Sequence, residues 1–307
     1  MKKLPIGVQD FRKLIKDNYI YVDKTKYLYD LLESGNVYFL SRPRRFGKSL
    51  TVSTFEYLFK GEKNLFEGTY ISDKWDFTKT YPVISISMSG RTTSDLKSFK
   101  ESILLTIKQL YKKYGFEQET NLIPESFRYL VRQLSQRGRV VILIDEYDKP
   151  ILDNIDNPKK AENIRNFLRS FYSTFKDLDK YLKFVFITGI SKFSKVGIFS
   201  GLNNLKDLTL KSDMSTSLGY TKQEIRKYFQ KGIQKTKIEL GLNEVEFWDK
   251  LENWYNGYSW NGREFVYNPF SILNFFDEYT FSNYWFESGT PSFLISYLKE
   301  WLISTSL

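Results

Sequence analysis

Short apolar runs alternate with longer amphipathic segments between Val37 and Ile187. The clearest run, Val140–Ile144, is five β-prone aliphatic residues in succession, which is typical of a strand covered on both faces. Apolar residues recur at helical spacing between the runs. The pattern predicts strands at 37–40, 83–87, 140–144 and 184–187, and helices at 49–59, 94–114, 124–136 and 158–176.

Strands that alternate with helices indicate a mostly parallel sheet with helices on both faces, the three-layer α/β architecture. Beyond Leu210 the pattern changes to helices rich in aromatic residues, at 221–254, 271–278 and 292–302. The first of them opens with Thr221-Lys222-Gln223-Glu224, a capping box. Two Asn-Gly pairs between residues 255 and 262 predict a hairpin turn. We expect a core over residues 1–212 and a smaller, mainly helical domain over 213–307.

The 307 residues include no cysteine and no histidine, which excludes disulfides, thiolate nucleophiles and imidazole chemistry. A bound metal ion must therefore be a hard cation with oxygen ligands, such as Mg²⁺ or Ca²⁺. A general base must be Asp, Glu, Lys, Tyr or a water that they orient. The net charge of +10 favours contact with phosphate groups, either of a nucleotide or of a nucleic-acid backbone.

The apolar runs are strand-sized and far shorter than a membrane span. Lys2 and Lys3 near the N-terminus are not followed by the apolar segment of a secretion signal. We therefore expect a soluble, cytoplasmic protein with no membrane partner.

The segment Arg42-Pro43-Arg44-Arg45-Phe46-Gly47-Lys48-Ser49 lies between the first predicted strand and the helix that follows it. A phosphate-binding loop needs converging backbone N–H groups, a lysine for the β- and γ-phosphates and a hydroxyl for Mg²⁺. Gly47, Lys48 and Ser49 supply the turn, the lysine and the hydroxyl, and Lys48 is expected to be exposed. The usual first glycine would fall at position 42, where this chain has arginine. A basic turn without a ligand is the alternative.

Two carboxylates, Asp145 and Glu146, end the aliphatic strand. In a Mg²⁺-dependent nucleotide hydrolase the first would hold the metal and the second would polarise the attacking water. Thr188 ends the next predicted strand and is a candidate for contact with the γ-phosphate, with Ser191 as a substitute. Solvated turn carboxylates and a strand-terminal threonine that caps a turn are the alternatives.

Several longer strings make the chain resemble one family, the bacterial AAA-ATPase-like proteins, which are P-loop ATPases related to archaeal-type and signal-transducing ATPases. Arg42–Leu50 is one of these strings, and the arginine at its start is the usual form in this family, Arg-Pro-Arg-Arg-Phe-Gly-Lys-Ser, where other phosphate loops begin with glycine. The others are 21–25, 145–150, 188–193, 200–207, 255–258, 267–271 and 284–291.

The resemblance implies ATP and Mg²⁺ as cofactors, a catalytic role for Lys48, Glu146 and Thr188, and metal binding by Ser49 and Asp145. It further implies nucleotide contacts by Asp23, which would lie near the adenine, and by residues 44–50: Arg44, Arg45, Phe46, Gly47, Lys48, Ser49 and Leu50. A helix N-cap explains Asp23 equally well. Relatives suggest a winged-helix, lid-like character for residues 213–307.

Longer members of the family carry a C-terminal nuclease domain with an Asp and a Glu-x-Lys on neighbouring strands. No such pairing follows Leu210, so this sequence is expected to be the ATPase part alone. The leading hypothesis is an ATPase that uses Mg²⁺-dependent ATP binding and hydrolysis to switch its helical domain. The second is a nucleotide-gated module with little turnover that binds DNA non-specifically or another protein. A third is a scaffold whose loop no longer binds nucleotide.

Overall fold

The computed structural model describes residues 2–190, 195–199, 202 and 204–289. The predicted helix at 292–302 and the candidate residue Ser191 lie outside these residues. Within them the strands are β1 (Val37–Ser41), β2 (Val83–Ser87), β3 (Val140–Asp145), β4 (Leu182–Gly189), β5 (Lys206–Asp207), β6 (Tyr258–Ser259) and β7 (Phe265–Val266). 

The helices, numbered in chain order, are α1 (Phe11–Lys16), α2 (Thr25–Ser34), α3 (Lys48–Phe59), α4 (Leu96–Tyr114), α5 (Ile123–Ser135), α6 (Lys149–Leu152), α7 (Pro158–Asp177), α8 (Lys195–Ile198), α9 (Lys222–Tyr228), α10 (Gln230–Glu239), α11 (Glu244–Tyr255), α12 (Pro269–Glu278) and α13 (Tyr284–Gly289). The four predicted strands and the four predicted helices of the core are present, most with ends displaced by one or two residues. The sequence pattern did not reveal α1 and α2, which are short and precede the first strand.

The main sheet has the strand order β2-β3-β4-β1-β5. The pairs β2–β3, β3–β4 and β1–β4 are all parallel, with Val37 opposite Val185 and Ile142 opposite Val185 from the other side. The α/β class with a mostly parallel sheet is thus confirmed. Because the strands run in one direction, the carboxyl ends of β1, β3 and β4 lie along one edge of the sheet.

The chain divides into two compact units. We call residues 36–41 and the described residues of 79–206 the sheet unit, and residues 2–35, 42–78 and 207–289 the composite unit. In the sheet unit every residue of β3 is buried. Alternate residues of the strands share one core with the apolar faces of α4, α5 and α7. The aliphatic run at 140–144 is therefore covered on both faces, as its composition predicted.

In the composite unit Ile20 and Val22, near the start of the chain, share a core with helices α9–α12. The N-terminal segment therefore belongs to the same compact unit as the helical region. Whether residues 213–307 fold as a separate domain, as the sequence pattern suggested, stays a prediction. None of the described helices combines the length and the apolar character that a membrane span requires.

Local sequence signals account for the turns and helix starts of the composite unit. Thr221 and Glu224 form the predicted capping box at the start of α9, with reciprocal side-chain to backbone hydrogen bonds. The strands β6 and β7 form the predicted hairpin. In its turn the Asn261 side chain accepts hydrogen bonds from two backbone N–H groups, and Gly262 has a positive φ of 72°. The other Asn-Gly pair, residues 256–257, ends α11 instead.

Candidate functional site

The loop over residues 42–49 joins β1 to α3 with an irregular backbone. Arg45 and Gly47, on either side of Phe46, both have left-handed conformations, with φ of 68° and 91°. Such alternation turns successive backbone N–H groups towards one side and creates concavities that bind anions. Gly47 is the N-cap of α3 and supplies no side-chain bond. Because glycine has no side chain, residue 47 cannot cap the first backbone N–H groups of this 12-residue helix.

Lys48 is the first residue of α3, and its side chain is not exposed as the sequence suggested: the residue is only 5% exposed. Its ammonium group donates hydrogen bonds to the carbonyl oxygens of Arg42 and Pro43, each at 2.8 Å. The lysine thus bends back over its own loop. Ser49 and Leu50 follow it in the first turn of α3 and are both half-buried.

The other predicted nucleotide-contacting side chains of the loop differ in accessibility. Arg45 is exposed and its guanidinium lies over the Phe270 ring at 4.9 Å. Arg44 is half-buried, and its carbonyl oxygen accepts a hydrogen bond from the Trp285 indole N–H at 3.0 Å. Phe46 is buried, so its ring packs inside the protein and only its backbone could meet a ligand.

Phe46 packs edge-on against two aromatic rings of the hairpin region, Tyr258 at 4.8 Å and Trp260 at 5.8 Å between centroids. These contacts, like those of Arg44 and Arg45, lie within the composite unit. The loop is therefore fixed on one side by residues that follow it by more than two hundred positions in the sequence.

In the sheet unit, three of the predicted site residues come together at the ends of β3 and β4. Asp145 is the last residue of β3 and Thr188 is fully buried in β4. The Thr188 hydroxyl donates to Asp145 Oδ1 at 2.5 Å and accepts a longer bond, 3.3 Å, from the Glu146 backbone N–H. One hydroxyl thus fixes both the carboxylate of Asp145 and the backbone of Glu146.

Glu146 is left-handed, with φ of 53°, although it carries a side chain. Holding a non-glycine residue in this region costs about 1–2 kcal/mol. The bond from its N–H to Thr188 and the bond from the next N–H, of Tyr147, to the Thr188 carbonyl oxygen at 2.9 Å maintain this conformation. Strain of this kind is common at functional sites.

The described residues contain no group of three or more acidic side chains arranged to hold a metal ion. Mg²⁺ does not need one, because it commonly binds one or two carboxylates and completes its shell with water and substrate phosphates. Asp145, whose side chain is oriented by Thr188, is a suitable carboxylate for such a site. The residues at the end of β3 therefore fit the ion that the sequence suggested.

Asp23 is occupied by structural hydrogen bonds. One carboxylate oxygen accepts from the N–H and the hydroxyl of Thr25, at 2.8 and 2.7 Å, at the start of α2. The other accepts from the backbone N–H of Tyr70 at 2.7 Å. The N-cap of α2 is Lys24 and not Asp23, so the Asp23 carboxylate binds the first helical N–H from the position before the N-cap. The contact of Asp23 with adenine stays a prediction.

Sequence reasoning missed the position of two charged residues. Asp148 is fully buried and accepts a hydrogen bond from the Ile190 N–H at 2.9 Å, next to the end of β4. Arg42 is buried in the composite unit and bonded to the carbonyls of Thr209 and Met214. No local pattern could have revealed either, since the partners lie 42 or more positions away in the sequence.

A parallel α/β sheet with a strand–loop–helix segment containing Gly-Lys-Ser defines a P-loop NTPase-like core. The family model described as "Predicted AAA-ATPase" matches residues 5–199. The chain therefore belongs to this AAA-ATPase-like family, and the resemblance seen in its motifs is confirmed. Membership of the family supports ATP as the ligand.

The chain is also 45% identical over 304 residues to a protein of Azotobacter chroococcum mcd 1 described as "Uncharacterized protein in vnfD 5'region". The similarity extends over 97% of this chain and 56% of that relative. The chain thus spans little more than half the length of the relative. No solved structure matches the chain.

Proposed function

We propose that the chain is a Mg²⁺-dependent ATPase. The observation that carries the proposal is the phosphate-type loop before α3, with left-handed residues at 45 and 47 and a lysine at the helix N-terminus. In the sheet unit, the proposal is supported by Asp145 and Glu146, which are both hydrogen-bonded to the Thr188 hydroxyl. Both features occur in this chain, which belongs to the family described as "Predicted AAA-ATPase".

In this proposal the backbone N–H groups of residues 44–50 bind the phosphates, and Arg44 and Arg45 add positive charge. Lys48 gives up the carbonyls of Arg42 and Pro43 and transfers its hydrogen bonds to the β- and γ-phosphate oxygens, where it neutralises charge that develops during cleavage.

Asp145 and the Ser49 hydroxyl are the proposed Mg²⁺ ligands, and the ion would supply charge neutralisation on the phosphate oxygens. Glu146 is the proposed general base that orients and polarises the attacking water. Thr188 orients both carboxylate-bearing residues through the hydrogen bonds described above. Its hydroxyl has one proton, so the predicted γ-phosphate contact would replace the bond that it donates to Asp145. Because Arg44 and Arg45 touch Trp285 and Phe270, we propose that nucleotide turnover is transmitted to the helical region.

Isothermal titration with ATP and an assay of phosphate release test the proposal on three variants. Lys48→Met, which keeps the aliphatic stem of a buried lysine, should lose ATP binding. Glu146→Gln should keep binding and lose turnover. Lys60→Met is the control, because Lys60 is the C-cap at the far end of the same helix, where its ammonium group pairs with Glu56 and lies over the Tyr57 ring.

Binding without phosphate release by the wild-type protein would favour the second hypothesis, a nucleotide-gated module, and DNA retention that falls steeply with salt would then identify a nucleic-acid partner. Wild-type protein that does not bind ATP, or Lys48→Met protein that binds it normally, would contradict the phosphate-loop assignment.

A further inference from the structure

Arg42 occupies the position where phosphate loops usually begin with glycine, yet it is one of the most deeply buried large side chains of the chain, only 1% exposed. Its two terminal nitrogens donate to the carbonyl oxygens of Thr209 at 2.7 Å and Met214 at 3.0 Å. Its guanidinium also lies 4.4 Å from the centre of the Trp260 ring. The side chain is therefore directed into the composite unit, and not into a ligand site.

Burying a guanidinium is unfavourable unless hydrogen bonds and charge compensate for the lost water. Here desolvation lowers the pKa of Arg42 to about 10, while the negative charge of Asp207 acts in the opposite direction. The group stays charged at neutral pH. The chain thus retains a buried charge, at a position where an uncharged residue would avoid this cost.

The backbone of Arg42 is connected to the lysine of the loop. The carbonyl oxygens of Arg42 and Pro43 are the acceptors for the Lys48 ammonium group. The residue before a proline is restricted to extended conformations, which any residue adopts, so position 42 does not need glycine. Any shift of Arg42 would move the acceptors that hold Lys48.

We propose that Arg42 is a positioning residue of the nucleotide site: its side chain anchors the start of the loop to residues 209–214 and Trp260, and thereby fixes the resting position of Lys48. This inference rests on the proposed function, since it concerns the same loop. The role proposed for Arg42 differs from a phosphate contact, because the Arg42 guanidinium is enclosed by protein. Because Lys48 leaves these carbonyls when it bonds to the phosphates, the anchor acts on nucleotide binding, before the chemical step in which Lys48 takes part.

The test compares Arg42→Gly, which restores the usual glycine, with Arg42→Lys, which keeps the charge but not the planar two-pronged donor. ATP affinity should fall about ten- to a hundredfold in Arg42→Gly, with a smaller loss in Arg42→Lys. In steady-state assays Arg42→Lys should raise KM for ATP and leave kcat close to wild type. Arg226→Lys is the control, because Arg226 stacks on Trp248 at 4.9 Å and, among the described residues, forms no hydrogen bond or ion pair with the loop.

Arg42→Gly protein that is folded and binds ATP as tightly as wild type, or more tightly, would overturn the inference. If that variant does not fold, Trp260→Leu replaces it. Wild-type ATP affinity in both Trp260→Leu and Arg42→Lys would then overturn the inference. These outcomes presuppose that wild-type protein binds ATP; absence of that binding would instead contradict the proposed function, and the inference with it.

Discussion

Replacing Thr188 by valine removes one hydroxyl and little volume from the end of β4. Because Thr188 is fully buried, water cannot take the place of the hydroxyl. Asp145 Oδ1 would lose a charge-assisted bond of 2.5 Å, and the Glu146 N–H would lose its acceptor. A hydrogen bond to a charged group contributes about 1.5–3 kcal/mol and a neutral one about 1 kcal/mol. The free energy of unfolding should therefore fall by about 2.5–4 kcal/mol.

The functional effect of Thr188→Val should appear in the Mg²⁺ dependence of ATP binding. Residues that orient a metal ligand typically change metal affinity or activity by about 10- to 100-fold. We expect a loss of this size when ATP is titrated with Mg²⁺, and little change when it is titrated with EDTA present. Thr188→Ser should keep most of the wild-type affinity, because it keeps the hydroxyl.

Thr174→Val is the matched control for this experiment. Thr174 is also fully buried, and its hydroxyl donates at 2.7 Å to the Phe171 carbonyl within α7. Its replacement should affect stability alone. If Thr188→Val binds Mg²⁺-ATP like wild type, the positioning role is refuted. If it binds normally but hydrolyses slowly, Thr188 acts on the γ-phosphate, as the sequence predicted.

Two further predictions concern stability. Lys24→Met should lower the free energy of unfolding by about 2–3 kcal/mol, because it leaves the half-buried Glu224 carboxylate without the ammonium group that lies 2.6 Å from it. Lys26→Met removes an exposed ion pair and should change the free energy of unfolding by less than about 0.5 kcal/mol. Equal losses in the two variants would refute the role of the Lys24–Glu224 pair. Burial acts to raise the pKa of Asp10, but hydrogen bonds, led by the one from the Tyr57 hydroxyl, lower it below 3.8, the ordinary value for aspartate. The ionised form of Asp10 therefore stabilises the fold at neutral pH, and this contribution is lost as the pH falls from 3.8 through the lowered pKa. In chemical denaturation, Asp10→Asn should have a lower free energy of unfolding than wild type at pH 7, and the difference should shrink in acid. A difference that does not change with pH would contradict the prediction.

The sheet and its polar strand ends could be predicted from local patterns. The run Val140–Ile144 predicted its own burial, and the position of Asp145 and Glu146 after it predicted where the carboxylates lie. Such predictions succeed because composition and period act over a few residues. The Asn-Gly pair at 261–262 predicted its turn for the same reason.

Long-range contacts could not be predicted in this way. Arg42 appeared to be a departure from a loop pattern, but its partners Thr209 and Met214 are 167 and 172 positions away. The burial of Lys48 is different, because its acceptors on Arg42 and Pro43 are only six and five positions away, but the sequence pattern does not show that the loop folds back on itself. The shift of Glu146 into the left-handed region depends on Thr188, in another strand. For Arg42 and Glu146 the contacts that decide the conformation are tertiary.

The place of β1 in the sheet has a consequence for the order in which the protein assembles on the ribosome. Val37 pairs with Val185, 148 positions later, and in the described sheet β4 separates β1 from β3. At about 5–20 residues per second, a ribosome needs about 7–30 s to add the missing partner. During that time β1 is an unpaired apolar strand, the kind of segment that associates with other chains. The segment that leads into the phosphate loop is thus synthesised early and paired late. We therefore expect chaperones to be needed most by nascent chains that end before β4 has been synthesised.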